Sequence, residues 1–229
     1  MRNIVIFIIV AFVGALVVSV GILLYMSPNF AGFGKESSGD TVVTSLQDGD
    51  DGTDNKAGSE AAVYNWEDHP VFIVGDSLTQ GARSDILKAI GDATIDAKVS
   101  RNMAAGVSIL RGWEESGALT DDAIIIVCLA HNITDSTIKD AQQIVAMINP
   151  GQSLIMMTGH GHSNMEPVNE YIRSLPGAYN FITAADWDMT ITQSPGLLSD
   201  DGVHVGKKQG NELYARLILR ALEVTKPMR

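Results

Sequence analysis

Apolar residues are distributed in three different ways along this chain. Ile4 to Met26 is an uncharged run of 23 residues, interrupted only by Gly14, Ser19 and Gly21. Residues 27–68 show almost no hydrophobic periodicity. From His69 to Arg229, short apolar runs alternate with stretches in which apolar positions recur every three or four residues.

As a helix, the first run is roughly 34 Å long, enough for the hydrocarbon core of a bilayer. Its length exceeds the apolar region of a cleaved leader, and no small-residue cleavage site follows, so an uncleaved anchor is expected. Arg2 precedes the run and no positive residue follows until Lys35, which predicts a single-pass protein with its C-terminal part extracytoplasmic. The second stretch is rich in Gly and Ser. From Lys35 to Asp68 it carries nine acids against Lys35 and Lys56, so it predicts an extended, solvated linker over residues 27–68.

The third stretch, residues 69–229, predicts a folded domain. Val71–Val74, Thr94–Val99, Ala123–Leu129, Ser153–Met157 and Tyr179–Thr183 have the composition and length of strands. Ser84–Ile90, Val107–Glu115, Thr134–Ile148, Pro167–Ser174 and Lys208–Val224 have helical spacing. Strict alternation of this kind implies an α/β fold, with a five-stranded parallel sheet and helices on both faces.

Composition narrows the function. With 45% hydrophobic residues the chain is not a disordered protein, and a net charge of −11 argues against a nucleic-acid binder. The single cysteine, Cys128, excludes an internal disulfide framework and a multi-cysteine zinc site, and reads as a small buried hydrophobe. There is no G-x-S-x-G elbow, no phosphate-binding P-loop and no G-x-G-x-x-G after the first strand.

Ligands of open parallel sheets bind at the carboxyl ends of the strands, and unusual polar residues cluster there. Gly75-Asp76-Ser77 follows the first strand, His131-Asn132 the third, and His160-Gly161-His162 the fourth, while Asp201-Gly202-Val203-His204 precedes the last helix. This set suits acyl transfer. Ser77 is the candidate nucleophile, His204 the base that takes its proton, and Asp201 the carboxylate that orients the imidazole. The Ser77 backbone N–H and the Asn132 amide are candidate oxyanion donors, with a cap on the helix beginning near Thr134 as the competing role of Asn132. His131, His160 and His162 are candidate substrate-lining residues. His160 and His162 lack a clear third ligand, so no metal is expected. Asp76 reads as a loop-ordering residue, and Asp186-Trp187-Asp188 as either a sugar contact or packing.

Gly-Asp-Ser-Leu-Thr-Gln-Gly at Gly75–Gly81, together with Asp-Gly-Val-His at Asp201–His204, resembles the SGNH (GDSL) hydrolases. Ile95–Asn102 and Ala185-Asp186-Trp187 are most similar to the extracytoplasmic domains of bacterial peptidoglycan O-acetyltransferases. The resemblance implies a three-layer α/β/α, flavodoxin-like fold and acyl-ester chemistry without a cofactor. It also implies acylated cell-wall glycan as substrate. In that family a multi-span membrane domain supplies acyl groups; with one expected span here, a separate membrane protein would act as donor. Two departures stand out. Ala130-His131-Asn132 replaces the family's Gly-x-Asn, and the second-block glycine maps to Gly106, which the resemblance would make a further oxyanion donor. A lipid or thioester hydrolase and a noncatalytic glycan-binding domain are the competing readings.

Overall fold

The computed structural model describes residues 64–229. The expected membrane run and residues 27–63 of the expected linker lie outside the described residues. Among the described residues, no helix is long and apolar enough to cross a membrane.

Five strands form one parallel sheet: β1 (Val71–Gly75), β2 (Thr94–Ala97), β3 (Ile124–Cys128), β4 (Ser153–Met157) and β5 (Ile182–Ala185). Their order is β2-β1-β3-β4-β5, the flavodoxin-like arrangement, and all neighbouring pairs are parallel. Six α-helices connect and cover them: α1 (Ser77–Ile90), α2 (Met103–Glu115), α3 (Thr137–Ala146), α4 (Glu166–Ala178), α5 (Trp187–Thr192) and α6 (Lys208–Val224).

The central strands are apolar throughout because both faces are covered. On β3, Ile124, Ile126 and Cys128 pack beneath α1, α5 and α6, against Ala82, Ile86, Trp187, Tyr214 and Ile218. The alternate residues Ile125 and Val127 face α2, α3 and α4, against Val107, Leu110, Ile144 and Ile172. The period-two alternation of a strand thus divides one sequence run between two cores. This is the expected three-layer α/β/α architecture.

Element boundaries differ from expectation where capping decides them. α1 begins at Ser77 rather than Ser84, because the Asp76 carboxylate accepts the Leu78 N–H at 3.0 Å and caps the helix. Leu78, Ala82, Ile86 and Ile90 then form one buried stripe. α2 begins at Met103 rather than Val107, because Asn102 Oδ1 accepts the Ala105 N–H at 3.1 Å. β5 covers Ile182–Ala185 instead of Tyr179–Thr183, since α4 continues to Ala178 with Pro176 in its last turns. α5 was not foreseen. At six residues it is too short to show a period, and Asp186 caps it by accepting the Met189 N–H at 3.0 Å.

Tyr64 and Trp66, placed by the sequence in the linker, pack against the α1/α6-side core. Tyr64 stacks on His69 with ring centroids 4.6 Å apart, and its hydroxyl lies 3.3 Å from Ser153 Oγ. Folded structure therefore reaches upstream of His69, at the amino-terminal end of the sheet. Two concavities of about 410 and 520 Å³ open at that end beside His69, and neither includes Ser77 or His204.

Candidate active site

Strand order reverses between β1 and β3, and in open parallel sheets ligands bind at the carboxyl ends of the strands at such a point. Ser77 follows β1 there as the first residue of α1. Glycine is required at position 75, two residues before it, because a Cβ there would lie 2.3 Å from Thr79 Cβ. Thr79 is itself fully buried and shares a 3.0 Å hydrogen bond with the Tyr214 hydroxyl of α6. The helix that carries Ser77 is therefore fastened to the core two residues beyond the serine.

Three of the expected residues meet in one hydrogen-bonded line. Ser77 Oγ lies 2.9 Å from His204 Nε2, and His204 Nδ1 lies 2.7 Å from Asp201 Oδ2. The other oxygen of Asp201 accepts the backbone N–H groups of Val203 and His204, each at 2.9 Å. These backbone bonds, led by Val203, and the imidazole hold the Asp201 carboxyl well below its usual range, at about 2. An ionised Asp201 can only accept, so His204 carries its proton on Nδ1 and presents a lone pair on Nε2 to the Ser77 hydroxyl.

The loop bearing Asp201 and His204 turns through Gly202 at φ +68°. Its backbone is closely packed. Gly161, at φ +112°, approaches so nearly that a Cβ there would lie 2.7 Å from the Gly202 carbonyl oxygen and 2.6 Å from Val203 Cγ2. The His160 side of that loop is anchored in turn. His160 Nδ1 lies 2.8 Å from Asp188 Oδ1, and Arg173 donates to both Asp188 (2.8 Å) and Asp186 (2.7 Å). Burial pushes the Asp186 carboxyl up, but hydrogen bonds from Arg173, Met189 N–H and Thr158 outweigh it and leave the group below its usual range.

Oxyanion donors divide more unevenly. Ser77 N–H lies in the first turn of α1, where it has no acceptor within the helix. Asn132 does not cap α3, whose first residue is Thr137. Instead its Nδ2 donates to the Arg101 carbonyl at 3.0 Å, which orients the amide and leaves its second N–H for another acceptor. The Arg101 guanidinium joins this corner, donating to the Gly75 carbonyl at 3.4 Å and to Asp96 Oδ1 at 2.8 Å. Gly106 requires correction. It lies in the first turns of α2, its N–H donates to the Asn102 carbonyl, and a Cβ there would lie 2.5 Å from Leu129 Cδ1. Its glycine serves helix-to-strand packing, and its N–H is already used.

The histidines separate as well. His131 is buried, and its Nδ1 donates to Asp76 Oδ2 at 3.1 Å, so it does not line an open surface. His160 is partly covered beside Asp188, and His162 is exposed. Among the described residues no cluster of His, Cys, Asp or Glu has the arrangement of a metal site. Trp187 is fully buried edge-on against Tyr214 at 5.0 Å between centroids, so its role is packing. Burial pushes the Cys128 thiol up to about 12, leaving it a protonated core group. The sequence reading did not foresee the Asp76–His131 pair, the bracing by Arg101, or the close approach at Gly161. Asp76, two residues before Leu78, is a legible cap, but all three of these contacts join distant segments.

No protein-family model matches the chain. It is 26% identical over 153 residues to a Bacillus subtilis (strain 168) protein provisionally named peptidoglycan O-acetyltransferase YrhL, covering 67% of this chain and 24% of that protein. The chain thus matches about a quarter of that relative's length. Among solved structures, the C-terminal catalytic domain of Streptococcus pneumoniae peptidoglycan O-acetyltransferase A superposes with a TM-score of 0.65 at 23% identity. That match covers 70% of this chain and 97% of the domain. A lipolytic G-D-S-L family member from Veillonella parvula DSM 2008 superposes with a TM-score of 0.54 at 16% identity, covering 66% of this chain and 97% of its own. The chain therefore has the fold of the SGNH (GDSL) esterases and O-acyltransferases, and its likeness to peptidoglycan O-acetyltransferase catalytic domains extends from motifs to three dimensions.

Proposed function

We propose that this protein is a serine acyl esterase or O-acetyltransferase that works on acetyl esters of cell-wall glycan, held at the outer face of a membrane by residues 4–26. The observation that carries the reading is the continuous hydrogen-bonded line from Ser77 through His204 to Asp201.

In this mechanism His204 Nε2 takes the Ser77 proton as Oγ attacks the acetyl carbonyl carbon. The resulting oxyanion is met by the Ser77 N–H and the free N–H of Asn132. As the tetrahedral intermediate collapses, the protonated His204 gives its proton to the departing alcohol oxygen, leaving acetyl-Ser77. His204 then deprotonates the incoming acceptor, which attacks the acetyl-serine, and the proton returns to Ser77 Oγ. Water as acceptor yields acetate; a sugar hydroxyl yields a new acetyl ester. Asp201 stays ionised throughout and stabilises the imidazolium.

The exposure of the site favours a bulky polar acceptor over a long acyl chain. His204 and Asp201 side chains are each about half exposed, at 49% and 50%. The intact triad geometry weighs against a noncatalytic binding domain, and the names of the similar proteins favour acetyl groups and glycan.

The test uses the full chain in detergent with 4-nitrophenyl acetate. Wild type is expected to release acetate and to accumulate an acetyl adduct on Ser77, and Ser77→Ala to do neither. Adding a chitooligosaccharide distinguishes the two outcomes of the intermediate, since a transferase acetylates the sugar. Equal rates for wild type and Ser77→Ala would overturn the serine mechanism.

A further inference from the structure

The buried pair formed by His131 and Asp76 has no step in the acyl-transfer chemistry. Asp76 is fully inaccessible and His131 is 6% exposed. Both carboxylate oxygens of Asp76 are used, Oδ1 by the Leu78 N–H at 3.0 Å and Oδ2 by His131 Nδ1 at 3.1 Å. A carboxylate only accepts, so this contact places the imidazole proton on Nδ1. His131 Nε2 is then a buried acceptor with no hydrogen-bond partner. An apolar side chain of similar size would avoid that unfavourable term. What offsets it is the charge-assisted bond to Asp76.

The position of this bond gives it a consequence. Asp76 immediately precedes Ser77, and His131 immediately precedes Asn132. The two oxyanion donors of the proposed mechanism thus stand on different loops, after β1 and after β3. The Asp76 N–H to Cys128 carbonyl bond, at 3.2 Å, is the last backbone tie between those strands. Beyond it, His131–Asp76 joins the loops one residue away from each donor. On its other side, the Asn132 amide is held by the Arg101 carbonyl.

We propose that His131 is a positioning residue that fixes the separation of the Ser77 N–H and Asn132 donors, a role that rests on the acyl-transfer reading above. Preorganised donors act only if their spacing matches the developing oxyanion, and a displacement of about 1 Å costs roughly 10²-fold in rate. The signature is therefore a loss in kcat, with substrate binding and fold retained.

The experiment compares wild type, His131→Leu and His131→Asn in the full chain, measuring kcat and KM on 4-nitrophenyl acetate and thermal unfolding. His131→Leu removes the donor, and its kcat is expected to fall about 10²-fold with KM nearly unchanged. His131→Asn sets an Nδ2 donor close to the position of Nδ1 and is expected to restore most of that loss. Unchanged kcat in His131→Leu would overturn the proposal, as would equal losses in both variants that track their melting temperatures. Nitrogen NMR of wild type supplies a readout independent of variant folding. A neutral ring protonated on Nδ1 supports the proposal, and one protonated on Nε2 overturns it. Absence of acetate release by wild type would instead fault the acyl-transfer reading.

Discussion

Ser77 and His204 are separated by 127 positions in the chain, yet their side chains meet at 2.9 Å. The contact requires β1 to deliver Ser77 at the carboxyl end of the sheet, and the loop before α6 to return across the same end. In the proposed mechanism, replacing the exposed His204 by Ala removes the base. A fall in kcat of about 10³-fold or more is expected, with little change in melting temperature. Stopped-flow measurement of acetyl-Ser77 formation checks it; a normal rate of formation would exclude His204 as the base.

In the proposed mechanism Asp201 acts through tautomer control. Asn at this position can turn its amide N–H toward His204 Nδ1, which forces the imidazole proton onto Nε2 and removes the lone pair from Ser77. Asp201→Asn should therefore lower kcat by on the order of 10³–10⁴-fold. The pH profile tests the same group in wild type. A folded carboxyl at about 2 lies below its unfolded value, so its contribution is complete above about pH 4 and is lost only as pH falls toward 2. Loss of activity between pH 4 and 7 must then arise from another group. A titration of Asp201 itself in that window, seen by carbon NMR, would contradict the hydrogen bonds described here.

Gly161 packs closely against the loop that bears Asp201 and His204. Alanine there meets both an unfavourable φ of +112° and the Gly202 carbonyl oxygen at 2.7 Å. The backbone atoms cannot yield as a side-chain tip would. Gly161→Ala is expected to destabilise the domain by about 1–3 kcal/mol and to lower kcat by displacing His204. Thermal unfolding and acetyl-ester kinetics measured together check it. Unchanged kcat would show that the Gly161 contact is not transmitted to the imidazole.

Arg173 neutralises the acids that hold the His160 loop. In Arg173→Leu, burial acts on Asp186 without its main counter-charge, and its carboxyl should rise. The guanidinium is partly solvent-screened, with its side chain 28% exposed, so the cost at neutral pH is about 1–2 kcal/mol. The sign follows from a depressed carboxyl. Its stabilisation is present above the unfolded value of about 4 and is lost as pH falls through the lower folded value. The stability difference between wild type and Arg173→Leu should accordingly narrow below about pH 4 in denaturant titrations.

Gly106 provides a test of its corrected role. Alanine would press on Leu129 Cδ1, a side-chain tip enclosed by α2 and α3. The expected result is a stability loss of about 1 kcal/mol with kcat nearly unchanged. A large selective fall in kcat would return Gly106 to the oxyanion site.

Much of the architecture was legible because strands and helices bury apolar residues with different periods. The runs Val71–Val74 and Ala123–Leu129 have the length and composition of strands covered on both faces, and the stripe of α6 was visible in Leu213, Leu217 and Ala221. Capping shifted the remaining boundaries. Ser77 reads as a loop residue in sequence, but Asp76 makes it the first residue of a helix, where its N–H has no acceptor within the helix. The Gly-Asp-Ser and Asp-x-x-His motifs were readable because their members are neighbours in the chain. The Asn102–Gly106 segment misled, because a glycine needed for helix packing is indistinguishable in sequence from one that frees a backbone donor.

The sequence by itself determined the layered α/β class, the candidate nucleophile, base and carboxylate, and the acidic composition of the segment preceding the domain. These follow from periodicity, local spacing and charge, all of which are properties of residues near one another in the chain. Only the tertiary structure decided that Asn132 is oriented by Arg101, that His131 is buried against Asp76, that Trp187 is core, and that Gly106 is spent on packing. Each of those depends on which distant segments the sheet order brings together. Hydrogen-bond partners and available space are set by that order, and no local pattern encodes them.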